Sequence, residues 1–222
     1  KTVAMAHTNT CTSEIDAWVN LFADVIRATG QEADLGQLYP LLYRKALEGA
    51  PDCGGIIAFN YFAGEPLTGT ETGRPMLLRL PDSKMTVGNF MRSQLYGAIA
   101  TLKIGMDMLK REEQVESDRL LGHGGFFKTP GVGQQLLADA LNVPISTMET
   151  AGEGGAWGIA LLAAYMANKG EETLEEYLNA HVFADAEGTT LAPEQADVDG
   201  FNTYIERYKQ LLEVERKAVE TI

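Results

Sequence analysis

Cysteine is nearly missing from this chain: Cys11 and Cys53 are the two thiols among 222 residues. Two thiols do not make a disulfide framework in a chain of this size, and neither sits in a metal-ligand spacing. The simplest setting for such a chain is reduced and cytoplasmic. Histidine is as scarce, with His7, His123 and His181 scattered along the sequence. Basic residues are outnumbered, 18 Lys and Arg against 31 Asp and Glu, which gives a net charge of −13 and a pI near 4.6. Nucleic-acid binding needs a basic face to neutralise phosphates, and the sequence has no basic cluster, so nucleic acid is not an expected partner. Long apolar runs are missing too. The longest, Gly155 to Ala167, is too short to span a bilayer, so no membrane is expected. The amino end, Lys1-Thr2-Val3-Ala4-Met5, lacks the design of a signal peptide and does not start with methionine; it reads as a chain cut from something longer. The common catalytic signatures are absent: there is no Walker-type P-loop, no GxSxG elbow and no HExxH.

The composition that remains is that of a globular protein, 45% hydrophobic and 22% charged. Apolar residues at helical spacing predict helices over Thr12–Thr29 (Thr12 or Ser13 as cap), Leu35–Leu47 (bent or restarted at Pro40) and Thr86–Arg111. Further helices are predicted over Gln134–Leu141, Gly154–Asn168, Thr173–Phe183 and Glu194–Thr221, the last broken near Gly200. Gly154–Asn168 is apolar on nearly all faces and so is expected to be buried. Strands are expected at Gly54–Phe62, Met76–Leu80, Arg119–Gly122 and Ile145–Met148, with a short edge strand at Thr189–Ala192. Gly64–Arg74 is a glycine-rich loop. With no repeat or linker, the alternation of helices and strands predicts one α/β domain over residues 1–222.

Two stretches carry the functional signal. Gly122-His123-Gly124-Gly125-Phe126-Phe127-Lys128-Thr129 joins a strand to a helix, and Thr150-Ala151-Gly152-Glu153-Gly154-Gly155-Ala156-Trp157-Gly158 does so again. Glycine at such a turn lets a ligand approach the backbone, and the helix behind it offers free N–H groups and the positive end of its dipole to a phosphate. A tight turn with no ligand satisfies the same glycines. Phe126 and Phe127 fit either a base pocket or the core. Glu153 suits a helix cap. Asp16, Asp52, Asp107, Asp118 and Asp139 are isolated carboxylates without an evident partner for general-base work.

Several ordered segments, from about Thr8 to Asn168, resemble the C-terminal domain of the FGGY carbohydrate kinases, in the xylulokinase and ribulokinase branch. Thr8-Asn9 through Asp16-Ala17-Trp18 is similar to a family segment ending in Trp at a helix start. Asn60-Tyr61-Phe62-Ala63-Gly64-Glu65 is similar to the family's PYLxGER, with Pro66 in place of Arg, and Phe90 to Leu109 is similar to the long helix after it. Gly124 to Pro130, followed by Gln134 and Asp139, resembles the adenosine motif GGGAKSPxWxQxxAD, and Glu153 to Ala164 resembles the EAxALGAAxLA helix. Phe126 stands where the family has a small residue, and one extra residue lies between Pro130 and Gln134.

The resemblance implies a ribonuclease H-like, actin/hexokinase-type ATPase fold, a mixed sheet flanked by helices. It implies ATP and Mg²⁺ as cofactors and ATP-dependent phosphorylation of a ketopentose such as xylulose or ribulose by the parent enzyme. Gly124, Gly125 and Phe126 would face phosphate and ribose, with Lys128 towards an anion, Thr129 or Pro130 near adenine, and Gly154 and Gly155 in the second turn. The family's DxGTxxxR motif, its sugar site and its general-base Asp are absent from the sequence, so this chain is expected to be the nucleotide-binding half and to be inactive alone. The alternatives are a split or truncated module acting as a binding or scaffold protein, and a kinase for another polyol or sugar acid. An exposed cleft wall would favour homo-oligomers.

Overall fold

A computed structural model describes residues 4–149, 154–184 and 188–221. Helix α1 (Ser13–Ala28) and helix α2 (Leu35–Leu47) follow the predicted periodicity closely. Thr12 takes the cap position of α1 through its backbone alone, while the Asp34 carboxylate caps α2 by accepting from Gly36 N. Pro40 lies inside α2, which continues as a single helix instead of restarting there.

The strand expected over Gly54–Phe62 is shorter. Cys53, Gly54 and Gly55 take φ of 61°, 58° and 80°, a left-handed turn that no strand can include. The strand β1 therefore runs Ile56–Phe59, all four residues buried, and pairs antiparallel with β2 (Met76–Arg79). Helix α3 (Val87–Glu112) is capped by Thr86, whose hydroxyl accepts from Asn89 N. Its first half is buried on every side, with the Phe90 ring edge-on to Trp18 at 4.8 Å. α3 starts against the end of α2 with little space: a Cβ at Gly49 would sit 2.7 Å from the Gly88 carbonyl oxygen.

A second sheet holds β3 (Leu120–Gly122), β4 (Ile145–Met148) and β5 (Gly188–Leu191) in the order β3-β4-β5. β3 and β4 are parallel, joined through α4 (Val132–Leu141), and β5 runs antiparallel on the far side of β4. α4 packs on this sheet over the buried Ile145. It ends at Asn142, whose φ of 51° gives the left-handed stop typical of helix ends.

The last helix, α7 (Gln195–Thr221), is not broken at Gly200. Gly200 is instead where α7 meets Pro51 with no room for a side chain. Beyond it Phe201, Tyr204 and Tyr208 enter the core: Tyr208 stacks on Phe59 at 4.4 Å, and its hydroxyl donates to that of Tyr61 at 3.0 Å. Arg92, 2% exposed, links three helices by donating to the Ala46 carbonyl of α2 and pairing with Asp197 of α7.

Helix α5 (Gly154–Asn168) departs most from expectation. It is an apolar helix, yet Ile159 is 69% exposed, Leu162 44% and Met166 78%. Its ring contacts are with α6 (Leu174–His181) and the residues just after it: Tyr165 with Tyr177 at 5.4 Å and Trp157 with Phe183 at 6.0 Å. A capping box between Thr173 and Glu176 starts α6. An apolar composition states what a helix would gain from burial; it does not supply the neighbour. Ile159→Lys is accordingly expected to shift the melting temperature by less than about 2 °C, as for a surface site. A fall beyond about 5 °C in a thermal scan would mean that α5 is packed.

Candidate functional site: a double-glycine turn at the ends of two parallel strands

In a parallel pair the two strands finish on the same side. Gly122 at the end of β3 stands opposite Thr147 of β4, so the turns that leave both strands start next to each other. Such an edge, at the carboxyl ends of parallel strands, is where α/β sheets take ligands. The second turn's Thr150, Ala151, Gly152 and Glu153 lie outside the described residues. Gly154 opens α5, and a Cβ on the exposed Gly155 would meet nothing within 4 Å.

The first turn is built in detail. Gly124 has φ 107° and ψ 178°, a conformation open essentially to glycine alone. Gly125–Phe127 then form one turn of 3₁₀ helix, with Phe127 N donating to the Gly124 carbonyl and Lys128 N to that of Gly125. A 3₁₀ turn leaves its first N–H groups without intrahelical partners, and those of Gly125 and Phe126 make no hydrogen bond among the described residues. A Cβ at Gly124 or Gly125 would meet nothing within 4 Å, so the backbone here borders open space.

The side chains after it divide into two groups. Lys128 and Pro130 are exposed. Thr129 is buried beneath the turn, and its carbonyl accepts from Val132 N. Both phenylalanines turn towards the core: Phe127 lies on Gly122, where a Cβ would come within 2.5 Å of the ring, and Phe126 lies on Gly133.

This arrangement corrects one expectation. The amino end of α4 does not point its N–H groups at an open site, because Val132, Gly133 and Gln134 are all buried under the turn. The reason is steric. The Phe126 carbonyl and ring occupy the space beside Gly133, so the surface open to an anion is the 3₁₀ turn.

Two polar residues behind the turn hold the assembly. Gln134 Nε2 donates to the carbonyls of Ile145 (2.8 Å) and Thr189 (2.9 Å), and its Oε1 accepts from the hydroxyls of Thr147 and Thr189, both at 3.1 Å. Asp139 is not isolated: its Oδ1 accepts from Glu194 N at 2.8 Å and Gln135 Nε2 at 2.9 Å, while its buried Oδ2 has no partner among the described residues. Burial pushes the Asp139 carboxyl up to about 6, against the pull of those two hydrogen bonds and with help from the Asp197 and Glu194 charges.

Three of the other carboxylates named from the sequence have partners of their own. Asp16 accepts from the Tyr39 hydroxyl, Asp52 pairs with Arg207, and Asp107 pairs with Lys103. Glu65 was not singled out as a polar anchor, yet it is fully buried. Its Oε2 accepts from the backbone N of Asn9 (2.8 Å) and Thr10 (3.1 Å), joining the two segments that open the family-like pattern. A glutamate amid Gly64, Pro66 and Gly69 was the available signal, but its partners lie 55 and 56 positions away. Among the described residues, no group of three or more His, Cys, Asp or Glu is placed to hold a metal ion.

Residues 1–167 match the family description "FGGY family of carbohydrate kinases, C-terminal domain". The chain belongs to the FGGY family of carbohydrate kinases. A xylulose kinase from Haemophilus influenzae is 25% identical over 205 residues, which is 90% of this chain and 40% of that protein. The crystal structure of xylulose kinase from Rhodospirillum rubrum superposes with a TM-score of 0.64 at 17% identity, covering 92% of this chain and 39% of that one. Plasmodium falciparum glycerol kinase with ADP superposes with a TM-score of 0.56 at 16% identity, covering 85% and 37%. The fold is thus the α/β, actin/hexokinase-type ATPase fold of the FGGY kinases. The chain spans about two fifths of the length of these relatives. Among the described residues, no helix is long and apolar enough to cross a membrane.

Proposed function

We propose that this chain is the nucleotide-binding half of an ATP-dependent carbohydrate kinase, a single unit over residues 1–222, and that the Gly124–Gly125 turn takes the phosphates of ATP or ADP. The observation that carries the reading is the turn itself. Gly124 holds a φ reserved for glycine, open space lies where the Cβ atoms of Gly124 and Gly125 would be, and two unpartnered N–H groups follow at the end of a parallel strand. An anion fits such donors. Lys128 adds positive charge at the rim, Pro130 borders the base side, and Gly154 and Gly155 would meet the nucleotide at the start of α5. Mg²⁺ would arrive on the nucleotide's own phosphates, and this chain supplies it no cluster of ligands among the described residues.

The acceptor is a small polyhydroxy compound, with a ketopentose such as xylulose or ribulose preferred because of the Haemophilus influenzae relative; a polyol such as glycerol is the second candidate. The sequence carries no DxGTxxxR motif and no base assigned to a sugar hydroxyl. Phosphoryl transfer depends on positioning and charge stabilisation from both sides of the phosphate. Turnover of D-xylulose, L-ribulose or glycerol with ATP is therefore expected to be undetectable for this chain alone, and a coupled ADP-release assay checks this. The scarcity of cysteine favours a cytoplasmic setting. The exposed apolar residues of α5 favour self-association, which light scattering tests.

The decisive experiment is a calorimetric titration with Mg²⁺-ADP. Gly125→Pro removes one N–H donor at the first position of a 3₁₀ turn, where proline is tolerated and an added Cβ meets nothing within 4 Å. Losing one charge-assisted hydrogen bond of about 1.5–3 kcal/mol corresponds to at least about a tenfold rise in Kd, with the melting temperature unchanged. Equal affinity in the two proteins would remove the turn from the site.

A further inference from the structure

The Gly124–Gly125 turn is flanked by two contacts of one kind, each an aromatic ring set on a glycine. Phe127 covers Gly122 at the end of β3, and a Cβ there would lie 2.5, 2.6 and 3.0 Å from three ring carbons. Phe126 covers Gly133 in the first turn of α4, where a Cβ would lie 2.8 and 2.9 Å from two ring carbons and closer still to the Phe126 carbonyl oxygen. The two rings meet edge-to-face at 5.5 Å. The turn is therefore tied at one end to the strand and at the other to the helix, through a single aromatic pair. Neither glycine is required by its φ, since neither has a positive one. What requires them is the space beneath the rings.

We infer that Phe126 is a positioning residue: seated on Gly133, it holds the Gly125 and Phe126 N–H groups in a fixed, preformed arrangement and closes the amino end of α4 to anions. The inference rests on the nucleotide reading of this turn and adds how the turn is kept ready. A turn held before its ligand arrives loses less freedom on binding, so the ring acts on phosphate affinity without touching phosphate. The ring faces Gly133 and the core, so affinity for a nucleoside without phosphates is expected to be independent of it.

Two variants remove the seat in different ways. Phe126→Ala deletes the ring. Gly133→Ala keeps the ring but its Cβ collides with both the ring and the Phe126 carbonyl, so the seat must open; a parent-like circular dichroism spectrum checks that both variants fold. In amide relaxation measurements on the 222-residue chain, the order parameters of Gly124 and Gly125 are expected near about 0.85 in the parent and below about 0.6 in both variants. The amides of Ile145–Met148 in β4 should stay unchanged. A turn mobile in the parent, or rigid in both variants, overturns the inference. In titrations, both variants should weaken Mg²⁺-ADP about tenfold while adenosine binding stays within about twofold. Equal losses for the two ligands would reduce Phe126 to general packing and overturn its positioning role. A parent chain that binds neither ligand would sink the nucleotide reading instead, and the relaxation data would still decide whether Phe126 fixes the turn.

Discussion

Gln134→Leu is expected to destabilise the protein by about 2 kcal/mol, although it exchanges side chains of similar size. The Gln134 amide donates to two carbonyls on two strands, Ile145 and Thr189, and accepts from two threonine hydroxyls. Leucine satisfies none of these groups. Thr147 and Thr189 keep each other, with their hydroxyls 3.2 Å apart, and the carbonyl of the exposed Thr189 can turn to water, but the buried Ile145 carbonyl loses its side-chain donor. A buried polar group left without its partner costs about 1–3 kcal/mol, and the one at Ile145 sets the estimate. At this chain length the melting temperature should fall by about 4–8 °C. Gln135→Leu is the control. Gln135 is less buried and bonds Asp139 and the Ala192 carbonyl near the surface, so its loss should be about 1 kcal/mol. Urea unfolding of the two variants separates the cases, and a Gln134→Leu protein within 1 kcal/mol of the parent would show that this amide does not hold α4 to the sheet.

Asp139→Asn should have the opposite effect, and a pH-dependent one. Burial raises the Asp139 carboxyl from 3.8 to about 6, so the folded state prefers the neutral form. The unfolded chain ionises at the lower value. The contribution to stability is therefore fully present below about pH 3.8 and is lost as pH rises through about 6. At pH 8 the ionised parent carries a penalty of about 2–3 kcal/mol, because its carboxyl ionises near 3.8 when unfolded and at about 6 in the fold. Asparagine cannot ionise, keeps an oxygen to accept from Glu194 N and Gln135, and escapes that penalty. Any fixed cost of its amide is the same at every pH. The stability of Asp139→Asn relative to the parent should thus rise by about 2 kcal/mol between pH 4.5 and pH 8. Parallel pH profiles for the two proteins would mean that Asp139 titrates normally in the fold.

These two residues also mark how far the sequence could be read. Gln134 and Asp139 were visible as part of an ordered motif, but their work was not, because their partners Thr189 and Glu194 lie 55 positions away. Helices α1, α2, α3 and α4 were legible to within a residue or two, since an apolar stripe and a cap are properties of neighbouring residues. The double-glycine turn was legible for the same reason: glycine is the residue that its φ of 107° calls for. The direction of the donors was not. Sequence order placed α4 behind the turn, and only packing revealed that Phe126 sits on Gly133 and closes the helix end.

The sequence by itself determined the elements, the family and the place of the glycine turns, because local periodicity, backbone freedom and ordered motifs act over short stretches of chain. Tertiary structure decided the rest. It placed β3 parallel beside β4 so that both strands finish at one edge. It ran α7 unbroken through Gly200 because Pro51 needed the space, and it left α5 exposed despite its apolar composition. Each of these outcomes depends on which surfaces meet. That is fixed by contacts between residues far apart in the chain, and no local pattern encodes it.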